Sequence, residues 1–329
     1  MRVEILHNDF RSKTVLVTGA NGFVGKTLCA ELSRQGHSVR AAVRSANIQV
    51  ENTETVSVGE ISGETNWADV LTGIKVVVHL AARVHVMKDN AVDPLDAFRK
   101  VNVEGTRNLA RQAAEAGVQR FIFISSIKVN GDGTSLGQPY TAEDQPAPAD
   151  PYGISKREAE DALRQLADET GMEVVIIRPS LVYGPGVKAN FLTMMRFLHK
   201  GVPLPFGAIN NRRSLVALDN LVDFIIVCIK HPVAANQTFL ISDGEDLSTT
   251  DLLVRLAGAL NTPVRLLPVS QKLLEAGLKW IGKGDLAQRI CGSLQVDITK
   301  ARTMLDWKPL ISVDEGLRRS AEYFLRARG

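Results

Sequence analysis

Five short apolar runs, TVLVTG, SVRAAV, KVVVHLAA, RFIFISS and EVVIIRPS, recur between Lys13 and about Val182, and none of them alternates strictly between apolar and polar residues. A strand reads this way when both its faces are covered, which is the condition of a parallel sheet flanked by helices. Helical patterns fill the gaps: KTLCAELSRQG, PLDAFRKVNVEGTRNLARQAAEAG and YGISKREAEDALRQLADETG, with closing glycines suited to a C-cap. Strand, helix, strand in that order implies right-handed crossovers, so the expected fold class is α/β with a doubly wound parallel sheet. After Val182 the rhythm stops. YGPGVKANF and GVPLPFGAINNRRS are rich in glycine, proline and asparagine, and DLLVRLAGAL, QKLLEAGLKWIG and VDEGLRRSAEYFLRA are helical patterns set apart from strands. We therefore expect one domain over 1–182, with returning segments near 215–245, and a smaller, mainly helical and discontinuous lobe over 183–329.

Composition bounds the partners. With 39 Lys and Arg against 36 Asp and Glu, the net charge of +3 is too small and dispersed for nucleic-acid binding. No apolar run approaches the roughly 18 residues a membrane span needs, and MRVEILHNDFRSK lacks the apolar core of a signal peptide, so no membrane insertion is expected. Cys29, Cys228 and Cys291 are far apart, odd in number and set among apolar neighbours, which suits small core residues in a reducing cytoplasm. The six histidines show no metal-ligand spacing, and no metal is expected.

TVLVTGANGFVGKTLCAEL places Gly19, Gly22 and Gly25 three apart, between the first strand and the first helix, with Asn21, Phe23 and Val24 in the same turn. That spacing gives a tight turn, close backbone approach to a pyrophosphate and close helix packing, with the phosphates at the positive helix N-terminus. The strand before and the helix after make this a dinucleotide site on a Rossmann-type sheet. About 20 residues further on, an NAD site normally supplies an acid for the ribose hydroxyls. This chain reads GHSVRAAVRSAN there, without an acid. Arg44, with Arg40, can fork onto a 2′-phosphate, so NADP(H) is favoured and NAD(H) remains possible.

PYGISKREAE puts Tyr152 and Lys156 four apart, hence on one helix face, about 26 residues after the Ser125-Ser126 pair that ends a core strand. The three groups make chemical sense together. A free phenol with a pKa near 10 exchanges protons poorly at neutral pH, and a fixed ammonium beside it lowers that value while serine holds the reacting oxygen.

TGANGFVG, HLAAR, NVEGT, the serine pair, YGISK, RPSLVYGPG and VDITKARTMLDWKP resemble, in order and spacing, the extended short-chain dehydrogenase/reductase family of nucleotide-sugar enzymes. Within it the chain is most similar to the sugar-nucleotide 4-epimerase and 4-ketoreductase branch. The resemblance implies Ser126, Tyr152 and Lys156 as the catalytic group, with Ser125 structural. It implies Leu80, Ala81, Ala82 and Asn102 along the cofactor, Pro179 near the nicotinamide, and Glu60 of Gly59-Glu60 where relatives touch the adenine with Gly-Asp. Arg213 stands where relatives bind the nucleotide diphosphate, and Asn190, Phe191 and Phe206 match positions that enclose the uridine and phosphates. The helices near 94–117 and 152–170 resemble those that pair family members as homodimers.

The branch performs several reactions on one hydride-transfer core. Dehydratase relatives carry an Asp-Glu pair after the serine, and here Ile127 and Lys128 occupy those positions, which disfavours dehydration. The Arg44 reading puts reduction first: an NADP(H)-dependent 4-ketoreductase acting on a UDP-4-keto-6-deoxy-(N-acetyl)hexosamine in bacterial surface-polysaccharide (O-antigen) precursor synthesis. A UDP-hexose or UDP-N-acetylhexosamine 4-epimerase with tightly bound NAD is the alternative. A non-catalytic dinucleotide-binding redox sensor is the second alternative, since fold alone does not give function.

Overall fold

The computed structural model describes residues 13–84 and 93–327. The chain divides into two compact units. The first holds the chain up to Val129 together with Pro146–Arg178 and Val222–Phe239, and the second holds Asn130–Gln145, Pro179–Leu221 and the chain from Leu240 on.

The first unit opens with β1 (Thr14–Thr18), α1 (Phe23–Arg34), β2 (Ser38–Val43), β3 (Glu54–Ser57), α2 (Ala68–Leu71) and β4 (Val76–His79). It continues through α3 (Pro94–Arg99), a π-helical turn at Lys100–Gly105, α4 (Thr106–Glu115), β5 (Arg120–Ile124), α5 (Pro151–Thr170) and β6 (Glu173–Pro179). The other elements are β7 (Leu181–Tyr183), α6 (Ala189–His199), β8 (Arg213–Ala217), α7 (Leu218–Lys230), β9 (Thr238–Ile241), β10 (Asp246–Leu247), α8 (Thr249–Ala259), α9 (Gln271–Trp280), α10 (Gly284–Cys291), α11 (Thr299–Leu305) and α12 (Val313–Arg326).

Seven strands form one sheet in the order β3, β2, β1, β4, β5, β6, β9, as expected of a doubly wound fold. The five apolar runs are β1, β2, β4, β5 and β6, and β1 pairs in parallel with β2 on one side and β4 on the other. Val15, Leu16, Val17, Val76, Val77, Val78, Phe121, Ile122 and Phe123 are buried, which is why these strands carry no polar alternation. Two sheet strands lie outside those five runs: β9, TFLI, which is largely buried, and β3, whose ETVS sequence has no fully buried residue and lies at the sheet edge. Between β1 and β4 the strand order reverses direction, and ligands of such sheets bind outside the carboxyl ends there.

The second unit is mainly helical but contains a three-stranded sheet in the order β10, β8, β7. Its boundaries differ from the sequence expectation for local reasons. Leu181–Tyr183 continues the apolar run of β6 but pairs with Leu215–Ala217, so the division falls near Arg178 rather than 182. The returning segment is Val222–Phe239, shorter than 215–245. Residues 130–145 join the second unit because the Tyr140 amide donates to the Gln295 carbonyl at 2.8 Å and its carbonyl accepts from the Asp297 amide at 2.8 Å.

Candidate active site

The turn after β1 is built for close backbone approach. Gly19 has φ +65°, and a Cβ there would stand 3.0 Å from the Ala81 amide nitrogen. At Gly25 a Cβ would meet the Gly19 carbonyl oxygen at 2.2 Å, so α1 packs against the turn at a distance only glycine permits. Gly22 is the N-cap of α1; it brings no side-chain acceptor, and the first turn has no acid. The first-turn amides are thus left to another acceptor. Asn21, Phe23 and Val24 are half-buried around them and Gly22 is exposed. A bare turn, an uncapped helix N-terminus and no opposing carboxylate fit the pyrophosphate of a dinucleotide.

The end of β4 is fixed from below. The Thr18 hydroxyl bonds the His79 Nδ1 at 2.7 Å and accepts from the Ala81 amide at 3.2 Å, while the His79 Nε2 meets the Thr106 hydroxyl at 3.0 Å. Burial drives the His79 imidazole down to about 3, so it is a neutral strut. Asn102, expected along the cofactor, is buried with both ends of its amide engaged. Its Oδ1 accepts from the Arg83 amide at 2.8 Å, and its Nδ2 donates to the Arg83 carbonyl and the Ser155 hydroxyl at 3.0 Å each. It therefore holds the segment after β4, which carries Leu80, Ala81 and Ala82, against α5, from a π-helical turn of a kind often found at functional sites. Thr18, His79 and Ser155 were not singled out in the sequence; a histidine closing the apolar run VVVH was the available signal.

At the end of β5 the two serines part company. The Ser125 hydroxyl donates to Glu160 at 2.6 Å, and Glu160, fully buried on α5, also accepts from Arg178 at 2.9 and 2.6 Å and from Arg164 at 2.9 Å. Ser126 lies just past the strand: its hydroxyl accepts from the Lys128 amide at 3.2 Å and draws the pKa of the Tyr152 phenol down. Tyr152 and Lys156 share one face of α5. The Lys156 ammonium donates to the Ile124 carbonyl at 2.8 Å and lies 4.4 Å from the centre of the Phe123 ring. Phe98 meets the Tyr152 ring edge-on at 6.1 Å.

Helix α5 is seated by its own start signal, Asp150-Pro151: the Asp150 carboxylate accepts from the Gly153 amide at 2.7 Å and pairs with Lys128 at 3.2 Å. Ile127 is buried. A Cβ on Gly153 would stand 2.7 Å from the Lys128 carbonyl oxygen, so strand end and helix start are in direct backbone contact.

The electrostatics depart from the sequence expectation. Burial first, then the Asp150 carboxylate, pushes the Tyr152 phenol up to about 12, against the pull of the Ser126 hydrogen bond. Burial also brings Lys156 down to about 7, opposed by Glu160. Desolvation is the largest cause at both groups, which keeps the phenol protonated at neutral pH and lets the lysine exchange its proton near neutrality.

At the end of β2, Arg44 is exposed. Arg40 is already committed: its Nε donates to Glu54 at 2.9 Å, and its Nη1 to the carbonyls of Val70 and Thr72 at 2.8 and 2.9 Å. The two arginines therefore do not form the paired phosphate clamp that favoured NADP(H). Glu60 is exposed after Gly59, which has φ +68°.

In the second unit Arg213 opens β8, half-buried, with Nη1 donating to the Gly292 carbonyl at 2.9 Å. Burial lowers its pKa, and among the described residues no carboxylate pairs with it. Arg212, by contrast, is exposed and faces Asp251 at 3.5 Å. Asn190 is exposed at the start of α6, whereas Phe191 is buried and stacks on Tyr183 with centroids 5.5 Å apart. Phe206 is half-buried with its carbonyl bound by the Thr250 hydroxyl at 2.7 Å, and Pro179 is buried at the end of β6.

Comparisons with known proteins place the chain in a family. A UDP-glucose 4-epimerase of Vibrio cholerae is 50% identical over 317 residues, covering 96% of each chain. A UDP-glucose 4-epimerase of Mycolicibacterium smegmatis is 31% identical, covering 94% of this chain and 97% of that protein. Among solved structures, MoeE5 in complex with UDP-glucuronic acid and NAD superposes with a TM-score of 0.76 at 25% identity, covering 95% of this chain and 99% of that one. A profile described as the NAD dependent epimerase/dehydratase family matches residues 15–242, and with relatives this similar along nearly its whole length, the chain belongs to that family.

Proposed function

We propose that this protein is a UDP-sugar 4-epimerase working with retained NAD. The observation that carries the reading is the 50% identity to the Vibrio cholerae UDP-glucose 4-epimerase across 96% of both chains. It reverses the order drawn from Arg44, which put a ketoreductase first. The preference for NADP(H) gives way as well: Arg40 is tied to Glu54, and the related MoeE5 structure holds NAD. The redox-sensor alternative falls with membership of an enzyme family.

In this reading Tyr152 takes the proton of the sugar C4 hydroxyl and later returns it to the same oxygen, while the Ser126 hydroxyl holds that oxygen in line. Bound in its oxidised form, the dinucleotide would accept the C4 hydrogen, give it back to the opposite face, and set a positive charge beside the phenol. Lys156, held on the Ile124 carbonyl, adds its charge to the same corner and keeps Tyr152 in register. Ile127 is buried and Lys128 is paired with Asp150, so neither supplies the carboxylates that dehydration needs.

The glycine turn with Asn21, Phe23 and Val24 would carry the pyrophosphate. Leu80, Ala81, Ala82 and Pro179 would flank the dinucleotide, Asn102 positioning the first three and Glu60 reaching toward the adenine. Arg213 and Asn190 would hold the nucleotide diphosphate, with Phe206 beside the uridine and Phe191 supporting Asn190 from the core. Pairing of two chains through the helices of 94–117 and 152–170, and a place in surface-polysaccharide precursor synthesis, belong to the same reading.

The test is incubation of the purified protein with UDP-glucose, and separately with UDP-N-acetylglucosamine, without added nicotinamide cofactor. Conversion to the 4-epimer, with NAD released on denaturation, is expected. No conversion, combined with steady loss of 340 nm absorbance on NADPH and a UDP-4-keto-6-deoxy sugar, would return the assignment to the reductase.

A further inference from the structure

Helix α9 is the one of the longer helices of the second unit with no buried residue. Leu273, Ala276, Gly277 and Trp280 recur at the spacing of a single helix face, and that face is exposed: Leu273 by 66% and Trp280 by 89%, the latter the most exposed of the large apolar side chains described. Leu274 and Leu278 form the opposite, half-buried side. The chain then turns through Ile281, 55% exposed, and Gly282 at φ +72° into α10, with the Lys283 amide closing the turn on the Leu278 carbonyl at 2.8 Å. The tip of this helical hairpin reads KWIGKG: an exposed Trp280-Ile281 pair bracketed by Lys279 and Lys283. Lys272 and Arg289 add two exposed cations, against the carboxylates of Glu275 and Asp285.

Single exposed leucines are ordinary on a soluble protein, but a contiguous apolar stripe ending in a bare tryptophan is not. Tryptophan beside isoleucine and leucine, flanked by lysines, is the chemistry that settles at the boundary between lipid headgroups and acyl chains. We propose that the α9–α10 hairpin docks on the surface of an anionic lipid bilayer, the Trp280-Ile281 tip entering the headgroup layer while Lys272, Lys279 and Lys283 pair with lipid phosphates. This is surface contact and not a span: no helix among the described residues is long and apolar enough to cross a membrane. The inference is independent of the substrate, since it rests on none of the groups assigned to catalysis.

The molecule carries its own reporter. Of its three tryptophans, Trp67 and Trp307 are buried at 0% and 3% exposure, so an environment-dependent emission change reads Trp280. The full-length protein would be mixed with vesicles of phosphatidylcholine alone or with phosphatidylglycerol added. On the anionic vesicles we expect a blue shift of emission and co-sedimentation that weakens with salt. Lys279→Gln and Lys283→Gln should each weaken co-sedimentation about fivefold, and Trp280→Ser should abolish it, all with turnover of a free nucleotide sugar unchanged. Absence of both shift and co-sedimentation on anionic vesicles would overturn the proposal. So would a vesicle-independent blue shift that grows with protein concentration and disappears in Trp280→Ser, because the stripe would then be covered by a second copy of the chain.

Discussion

The carboxyl ends of β2 and β5 lie on the same side of one parallel sheet, yet they are built in opposite ways. After β5 the polar groups are tied together: Ser125 by Glu160, Glu160 by Arg178 and Arg164, Lys156 by the Ile124 carbonyl, and Lys128 by Asp150. After β2, Arg44 stands in solvent and Arg40 turns back to brace the sheet edge through Glu54. The buried end has one geometry available, and residue identities there constrain the chemistry. The exposed end has many, and one charged residue says little about what it meets.

Four experiments would break or sharpen that contrast. The largest effect is expected at Tyr152→Phe, which should lower turnover on the UDP-sugar by roughly a hundredfold to ten-thousandfold while the dinucleotide is still recovered with the protein by mass spectrometry. Loss of the dinucleotide as well would mean that this corner cannot be divided into catalytic and holding groups. Next is Glu160→Gln, which leaves Arg178 buried without its carboxylate and should cost about 3–5 kcal/mol in urea unfolding. A cost near zero would show that the buried end is no more determined than the exposed one.

Lys156→Met tests the electrostatics of the same corner. The lysine has an ordinary value of 10.5 and falls to about 7 in the fold, so between those limits the unfolded chain binds a proton that the folded chain does not. Its contribution therefore favours folding more as pH rises from 7 toward 10.5, and less as pH falls, down to a floor near pH 7. Relative to wild type, Lys156→Met should thus gain stability as pH drops from 9 to 7, a trend readable in urea midpoints at fixed steps. A difference that stays constant over that range would place the lysine in a better-solvated environment. The smallest effect is expected at Arg44→Ala, with NAD affinity by titration calorimetry within about twofold of wild type, as for most exposed single charges. A large loss would restore Arg44 as a cofactor contact.

The sequence made the sheet legible because its five central strands are apolar on both faces, and it made the grouping of Tyr152, Lys156 and the serine pair legible because they sit at fixed places relative to those strands. It hid β3, whose edge position needs no apolar residues, and β7, which continues the apolar run of β6 although it belongs to another sheet. It also hid the direction of the Tyr152 and Lys156 shifts. Spacing shows that an ammonium lies near a phenol, but only packing shows how much water has been removed from both. Arg40 and Arg44 misled for the complementary reason: a guanidinium read from sequence has no partner until the fold supplies one, and Arg40 finds Glu54, fourteen positions along the chain. The resemblance points Asn102 toward the cofactor, and its visible part is to hold the segment after β4, shown only through its bonds to Arg83 and Ser155.

The contact between Gly153 and the Lys128 carbonyl gives the motif around Tyr152 and Lys156 a spelling rule that comes from neither of them. At the position immediately after the tyrosine the alphabet shrinks to a single letter, because the space for any side chain is already taken by the backbone that carries the serine forward. Random substitution of this enzyme should therefore return glycine alone at that site among the variants that still fold.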